Sequence, residues 1–208
     1  MSTAAVDHSQ PHADPLGARF GMWLFLFTEM LLFGGLFLLY AVYRSRFGED
    51  FHYAASGLSL RTGAFNTLVL LTSSLTMVLA VGAAERGRER AARGLLSATI
   101  GLGLLFLLIK AGEWSAKIHH GLYPNSEELV AHAPGENIFY GLYYAMTGLH
   151  ALHVVAGIIV LLAMMTVGAR RRGESRGLRA TRIETAGLYW HLVDVIWIFL
   201  FPLFYLIS

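Results

Sequence analysis

Five separate stretches of this sequence are apolar without interruption for about 20 residues or more, the length a helix needs to cross a bilayer core. They run from about Phe20 to Tyr43, Ala64 to Ala84, Leu95 to Trp114, Ile138 to Val167 and Leu188 to Ile207. In hydrocarbon every backbone N–H and C=O must be satisfied within the protein, so only helices and closed barrels can span. Apolar and polar residues do not alternate along these runs, which excludes barrel strands. The expected fold class is an all-α membrane protein. A five-transmembrane-helix bundle occupies residues 19–208, preceded by a polar N-terminal tail over residues 1–18. Composition agrees, with 55% hydrophobic and only 14% charged residues and a mean hydropathy of +0.53. That is too few charges to coat a soluble domain of this size. The tail lacks a basic stretch followed by a short apolar core, so the first run is read as a retained signal anchor rather than a cleaved signal.

The segments between the spans are expected to be polar loops: Arg44–Gly63, Glu85–Arg93, Lys117–Asn137 and Arg170–Arg182. Their cations orient the bundle. Arg19, Arg86, Arg88, Arg90, Arg93, Arg170, Arg171, Arg172, Arg176, Arg179 and Arg182 fall on one side, eleven in all, against Arg44, Arg46, Arg61 and Lys117 on the other. The N-terminus is therefore expected in the cytoplasm and the C-terminus in the periplasm, with the protein multi-pass in a bacterial cytoplasmic (inner) membrane. The sequence pI of about 9.0 reflects this topogenic charge, with anionic lipid as a secondary contact, and not nucleic acid.

Ionisable groups inside a span cost about 2.5–3.5 kcal/mol each on the insertion scale, so each needs a partner or a task. Glu29 has no opposite charge within a helical turn. It is read as either an interhelical strut or a proton-handling, lipid-linked carboxylate. Lys110 and Glu113 lie three residues apart on one helical face and are expected to pair. His150 and His153 share the fourth span, with Tyr143 and Thr147 extending their stripe, and His191 and Asp194 share the fifth. A metal or haem site built from these four would be a sharp reading. The Glu-x-x-His pairs of a di-iron bundle are absent, however, and no cysteine exists to supply a thiolate. All four are instead expected to be interhelical hydrogen-bond partners, with no catalytic residue and no metal. Glycines and serines at 34, 35, 73, 74, 101, 103 and 148 are expected to allow close helix approach. Trp23, Tyr40, Tyr43, Trp114, Trp190 and Tyr205 are expected to anchor the interfaces.

Five runs together resemble the haem–copper oxidase subunit III family, in its short five-helix bacterial form. They are FGMWLFLFTEMLLFGGLF from Phe20, FNTLVLLTSSLTM from Phe65, LIKAGEW from Leu108, YYAMTGLHALHVVAG from Tyr143 and ETAGLYWHLVDVIWIFLFPLFYL from Glu184. The resemblance covers nearly everything after Ala18. It implies a non-catalytic subunit that packs against subunit I of a cytochrome c or quinol oxidase, supports proton uptake, protects the oxidase during turnover and binds phospholipid. Glu29 matches the family's carbodiimide-reactive membrane carboxylate. Haem and copper are implied on partner subunits, with none bound by this chain. The longest members carry two further N-terminal helices that form one wall of a lipid cleft. This sequence has no counterpart of them, so its lipid site is expected to need a wall from elsewhere.

An accessory protein of nitric oxide reductase is the alternative within the same fold, and the short form, the KAGEW motif and the Pro202-containing FPLFYL ending sit comfortably with it. A small transporter or intramembrane enzyme would show inverted repeats, Gly/Pro-broken helices or a nucleophile motif. None is visible, and Pro202 is the one proline in a span. Oxygen reduction needs haems and copper held by several histidines, so any catalytic activity belongs to a complex.

Overall fold

A computed structural model describes residues 15–170 and 176–206. Among the described residues every regular element is a helix. They are α1 Pro15–Arg46, α2 Gly48–Ser56, α3 Leu60–Glu85, α4 Glu89–His119, α5 Glu127–Val130, α6 Pro134–Arg170 and α7 Arg176–Tyr205. Five of them, α1, α3, α4, α6 and α7, are long and apolar enough to cross a membrane. The all-α, five-span expectation therefore holds. Tail residues 1–14, loop residues 171–175 and the end of the fifth span at 207–208 lie outside the described residues.

The helices overrun the apolar runs at both ends, so the loops are shorter than expected. Proline is well placed at the first position of a helix, where its missing N–H costs nothing. Accordingly α1 opens at Pro15, within the stretch read as tail. Between α3 and α4 only Arg86–Arg88 stay outside a helix. Gly87 there adopts φ +70°, and Arg88 N–H donates to Ala83 O at 2.9 Å. That is a Schellman ending, which favours glycine at the left-handed position. The end of α4 is built the same way, with Gly121 at φ +70° and Leu122 N–H donating to Lys117 O at 3.0 Å. Hydropathy stops where charge begins, whereas helix stops where the backbone turns, and the two boundaries differ by a turn or more.

The loop Arg44–Gly63 contains the short amphipathic helix α2, which buries Phe51, Ala54 and Ala55. Glu49 and Asp50 fill its first turn, complementing the helix dipole. Asp50 Oδ2 also accepts from Gly135 N–H at 3.0 Å, tying α2 to the start of α6.

Helices α3 and α4 form a hairpin, and α7 lies between α3 and α6. Trp190, wholly buried on α7, sits where an added Cβ on Gly103 or Gly157 would meet its ring at 2.8 and 2.9 Å. Those two glycines let α4 and α6 close on it. Gly148 performs this role for Trp114. Gly34, Gly35 and Gly101 face open space instead, so the expected close approach at those positions does not occur. Three expected interface anchors are core residues: Tyr40 is 1% exposed, Trp190 0% and Tyr205 9%. Each is drawn inward by a polar partner, Leu203 O for Tyr40, Ser73 for Trp190 and Glu113 for Tyr205.

Candidate functional site

Three groups of polar side chains inside the spans carry most of the sequence-predicted site residues. The first joins α4, α6 and α7. Lys110 Nζ donates to Glu113 Oε2 at 3.1 Å, to the Tyr143 hydroxyl at 2.9 Å and to the Tyr205 hydroxyl at 2.7 Å. Both phenols then donate to Glu113, Tyr143 to Oε1 at 3.0 Å and Tyr205 to Oε1 at 2.7 Å. The three donors of an ammonium and the lone pairs of a carboxylate thus close a ring with no partner missing. The Lys110 side chain is 3% exposed and that of Glu113 6%. Lys110 Nζ also lies 4.7 Å from the Tyr143 ring centroid and 5.3 Å from that of Trp197. In chemical terms this is a neutral, closed strut. Its spacing showed the Lys–Glu pair, while Tyr205 arrives from the far end of the chain and carries no local signal.

The second joins α1 to α6. His153 Nε2 lies 2.9 Å from Glu29 Oε2, with side-chain exposures of 11% and 13%. His153 Nδ1 lies 2.8 Å from Leu149 O, and a carbonyl can only accept, so Nδ1 carries a hydrogen. Nε2 then either accepts from a protonated Glu29 or donates to its carboxylate. Phe33 packs edge-on against the imidazole at 5.5 Å. Tyr189 of α7 donates to His153 O at 2.9 Å. This pair is a part-buried carboxyl–imidazole hydrogen bond at the edge of the bundle.

The third lies along the seam of α3 and α7. Trp190 Nε1 donates to Ser73 Oγ at 3.1 Å, and Trp197 Nε1 donates to Thr67 Oγ1 at 3.0 Å. Ser74 Oγ lies 2.8 Å from His191 Nδ1. The serines read as small residues are therefore the hydrogen-bond partners of this seam, a role that only the pairing of the helices reveals.

Two expectations are corrected here. Asp194 is 3% exposed, yet neither carboxyl oxygen has a hydrogen-bond partner among the described residues. Ser74 of α3 is its polar neighbour and also faces His191. His150, wholly buried, has no partner on either ring nitrogen. It lies between Phe106 and Trp197, at 5.5 and 5.2 Å between ring centroids. Residues three apart on a helix differ by about 60° in direction. So His153 turns to α1 while His150 turns to α4 and α7, and one stripe serves two different surroundings. Among the described residues no three His, Asp or Glu converge as a metal-holding group.

Comparison with known proteins covers the whole chain. A sequence model of the family described as cytochrome c oxidase subunit III matches residues 2–208. The chain is 33% identical over 204 residues to cytochrome c oxidase subunit 3 of Thermostichus vulcanus, covering 98% of this chain and 93% of that one. It is 32% identical over 214 residues to cytochrome bo(3) ubiquinol oxidase subunit 3 of Pseudomonas aeruginosa, covering 98% and 92%. A probable cytochrome c oxidase subunit 3 of Mycobacterium tuberculosis is 34% identical over 191 residues, covering 90% and 86%.

Proposed function

The chain belongs to the cytochrome c oxidase subunit III family, and from that premise we propose that it stabilises subunit I of a bacterial haem–copper terminal oxidase, supports its proton uptake and binds phospholipid. As a subunit III it assembles with other oxidase subunits, and it is a multi-pass protein of the bacterial inner membrane. The observation that carries the reading is the full-length match to relatives of nearly the same extent. The haems and the copper are assigned to partner subunits. The N-terminus is assigned to the cytoplasm and the C-terminus to the periplasm. Support comes from the arginine count and from the way Arg93 of α4 and Arg179 and Arg182 of α7, at two helix ends, line one cavity.

Proton uptake is assigned to Glu29 with His153. A carboxyl–imidazole hydrogen bond near the surrounding lipid can release and regain a proton without moving backbone. The Lys110–Glu113 strut is assigned to assembly, since a closed neutral ring has nothing to exchange.

Purification of the chain in mild detergent, with mass spectrometry of its companions and an optical spectrum, tests the reading. The expected result is a haem-bearing subunit and oxygen consumption. Recovery with a nitric oxide reductase, or alone and colourless, would overturn it. In the intact oxidase, Glu29→Gln is expected to leave assembly unchanged and slow proton uptake. Unaltered uptake would remove Glu29 from that role.

A further inference from the structure

The other spans leave one side of α7 open. Helix α3 packs on α4 and α7, and α1 packs on α6 and α7, but among the described residues α1 and α3 do not meet. The stripe of α7 between them carries Leu188, His191, Val195 and Ile198, with Val195 46% and Ile198 44% exposed. Ser74 of α3 borders the stripe at His191, 2.8 Å from Nδ1. Phe37 of α1 borders it at Phe199, 6.1 Å between ring centroids. Exposed Leu71 and Leu75 continue the open face onto α3. This groove is apolar except where the part-buried His191 and Ser74 meet. His191 is the central residue of the span Gly177–Tyr205, and Ser74 lies near the middle of Leu60–Glu85. With a hydrocarbon core about 30 Å thick, the imidazole therefore sits about 15 Å from either headgroup layer. Ser74 has one hydroxyl hydrogen, directed to His191 Nδ1 or away from it, for example to its other polar neighbour Asp194. In the first case His191 Nε2 carries the ring hydrogen and donates, and in the second it accepts. Either way Nε2 offers one hydrogen bond that no described residue takes up.

We propose that this groove seats one transmembrane helix of a companion oxidase subunit, and that a hydroxyl or amide side chain of that helix pairs with His191 Nε2 at mid-depth. An acyl chain can cover Val195 and Ile198 but has nothing to offer an imidazole, and a headgroup does not reach it. Ionisable side chains within a span face other protein or water, because hydrocarbon leaves them unsatisfied. Hydrogen bonds from polar side chains are among the contacts that join helices in lipid. A neutral partner fits best, since a charge would be stranded among Leu71, Leu75, Val195 and Ile198. Packed helices lie about 8–10 Å apart, so one helix laid on α7 fills the gap between α1 and α3. The companion rests on the subunit III reading, whereas its place rests on the groove alone.

The test uses the native complex in its own membranes, with the photoreactive residue p-benzoylphenylalanine in place of Val195 or, as a control, of Leu108 on the outer face of α4, 71% exposed. Irradiation is expected to join the Val195 position to a transmembrane segment of a companion subunit, with Ser, Thr, Tyr, Asn or Gln within one turn of the cross-link. The Leu108 position is expected not to reach that segment. A cross-linked segment with only apolar side chains at that level overturns the hydrogen bond. Cross-links from Val195 to lipid alone, or to a second copy of this chain, overturn the occupant. Companions that co-purify but join only through Leu108 overturn the site and leave the oxidase reading standing, while recovery of no companion overturns both. Two substitutions read the hydrogen bond itself. His191→Asn keeps a polar group near Nδ1 for Ser74 but falls short of the Nε2 position, whereas His191→Gln reaches the Nε2 position. His191→Asn is expected to release the companion about three- to tenfold more readily on detergent washing, the range of one interhelical hydrogen bond. His191→Gln is expected to keep most of the retention. The reverse order would make His191 a strut to Ser74 alone, and equal retention in both would leave Nε2 without a partner; either overturns the proposal.

Discussion

Helices α1 and α7 are both long, both apolar and both membrane-spanning, yet they are held in opposite ways. Half of the most apolar window of α7 is buried, 50%, against 11% in α1. Around α7 the buried side chains include Trp190, Val193, Ile196, Trp197, Leu200 and Phe204. On α1 the buried ones are Leu26, Phe33 and Tyr40, a seam one residue wide recurring every seventh position, while Phe27, Met30, Leu31 and Leu38 stay exposed. Lipid tails are as apolar as leucine, so exposure of that outer face costs nothing and helix association rests on packing and polar contacts. For α7 dense packing is joined by hydrogen bonds from Trp190 to Ser73, Trp197 to Thr67 and Tyr205 to Glu113. For α1 much of the attachment falls to two directed contacts, Glu29 to His153 at 2.9 Å and the Tyr40 hydroxyl to Leu203 O at 2.9 Å.

The most damaging change is expected in the packed region. Trp190→Ala empties the space between Gly103 and Gly157 and strands Ser73. It is expected to cost about 3–5 kcal/mol, read as a lower midpoint of thermal unfolding in detergent. Lys110→Met leaves Glu113 buried and unpaired and is expected to cost about 3 kcal/mol or more. Lys110→Met with Glu113→Gln should recover most of it. Failure of the double variant to recover would mean the charges, and not the packing around them, hold α4 to α7.

Smaller effects are expected on α1. Glu29→Ala strands His153 Nε2 and is expected to cost about 1–3 kcal/mol, whereas Glu29→Gln keeps a hydrogen-bonding group and should cost less. Equal losses would show that the pair is an ion pair whose charge matters. Leu31→Ala, on the outer face, is expected to change stability by about 0.5 kcal/mol or less. If it instead releases a companion subunit, that face is a protein contact, and α1 is packed on both sides after all.

The closed ring of Lys110 was half visible in the linear order of residues. Lys110 and Glu113 are local neighbours, so their pairing follows from helical spacing alone. Tyr205 is 92 residues from Glu113, and nothing near either residue announces the other. For His150 and His153, spacing was misleading, because sharing a stripe says nothing about which helix stands opposite each member. Asp194 was expected to find a donor. Its polar neighbour on α3 is Ser74, and His191 faces that same hydroxyl.

What the chain's own order of residues determined was the solvent it lives in, the number of spans and the family it belongs to. Hydropathy acts over consecutive residues, and span length is set by the bilayer. Helix ends needed the backbone, because left-handed Gly87 and Gly121 stop α3 and α4, not the loss of apolar character. Which helix became the core and which the strap was decided only in three dimensions. All five spans have similar hydropathy, 1.6 to 2.2, and lipid rewards none of them for burial, so directed contacts between distant residues make the choice.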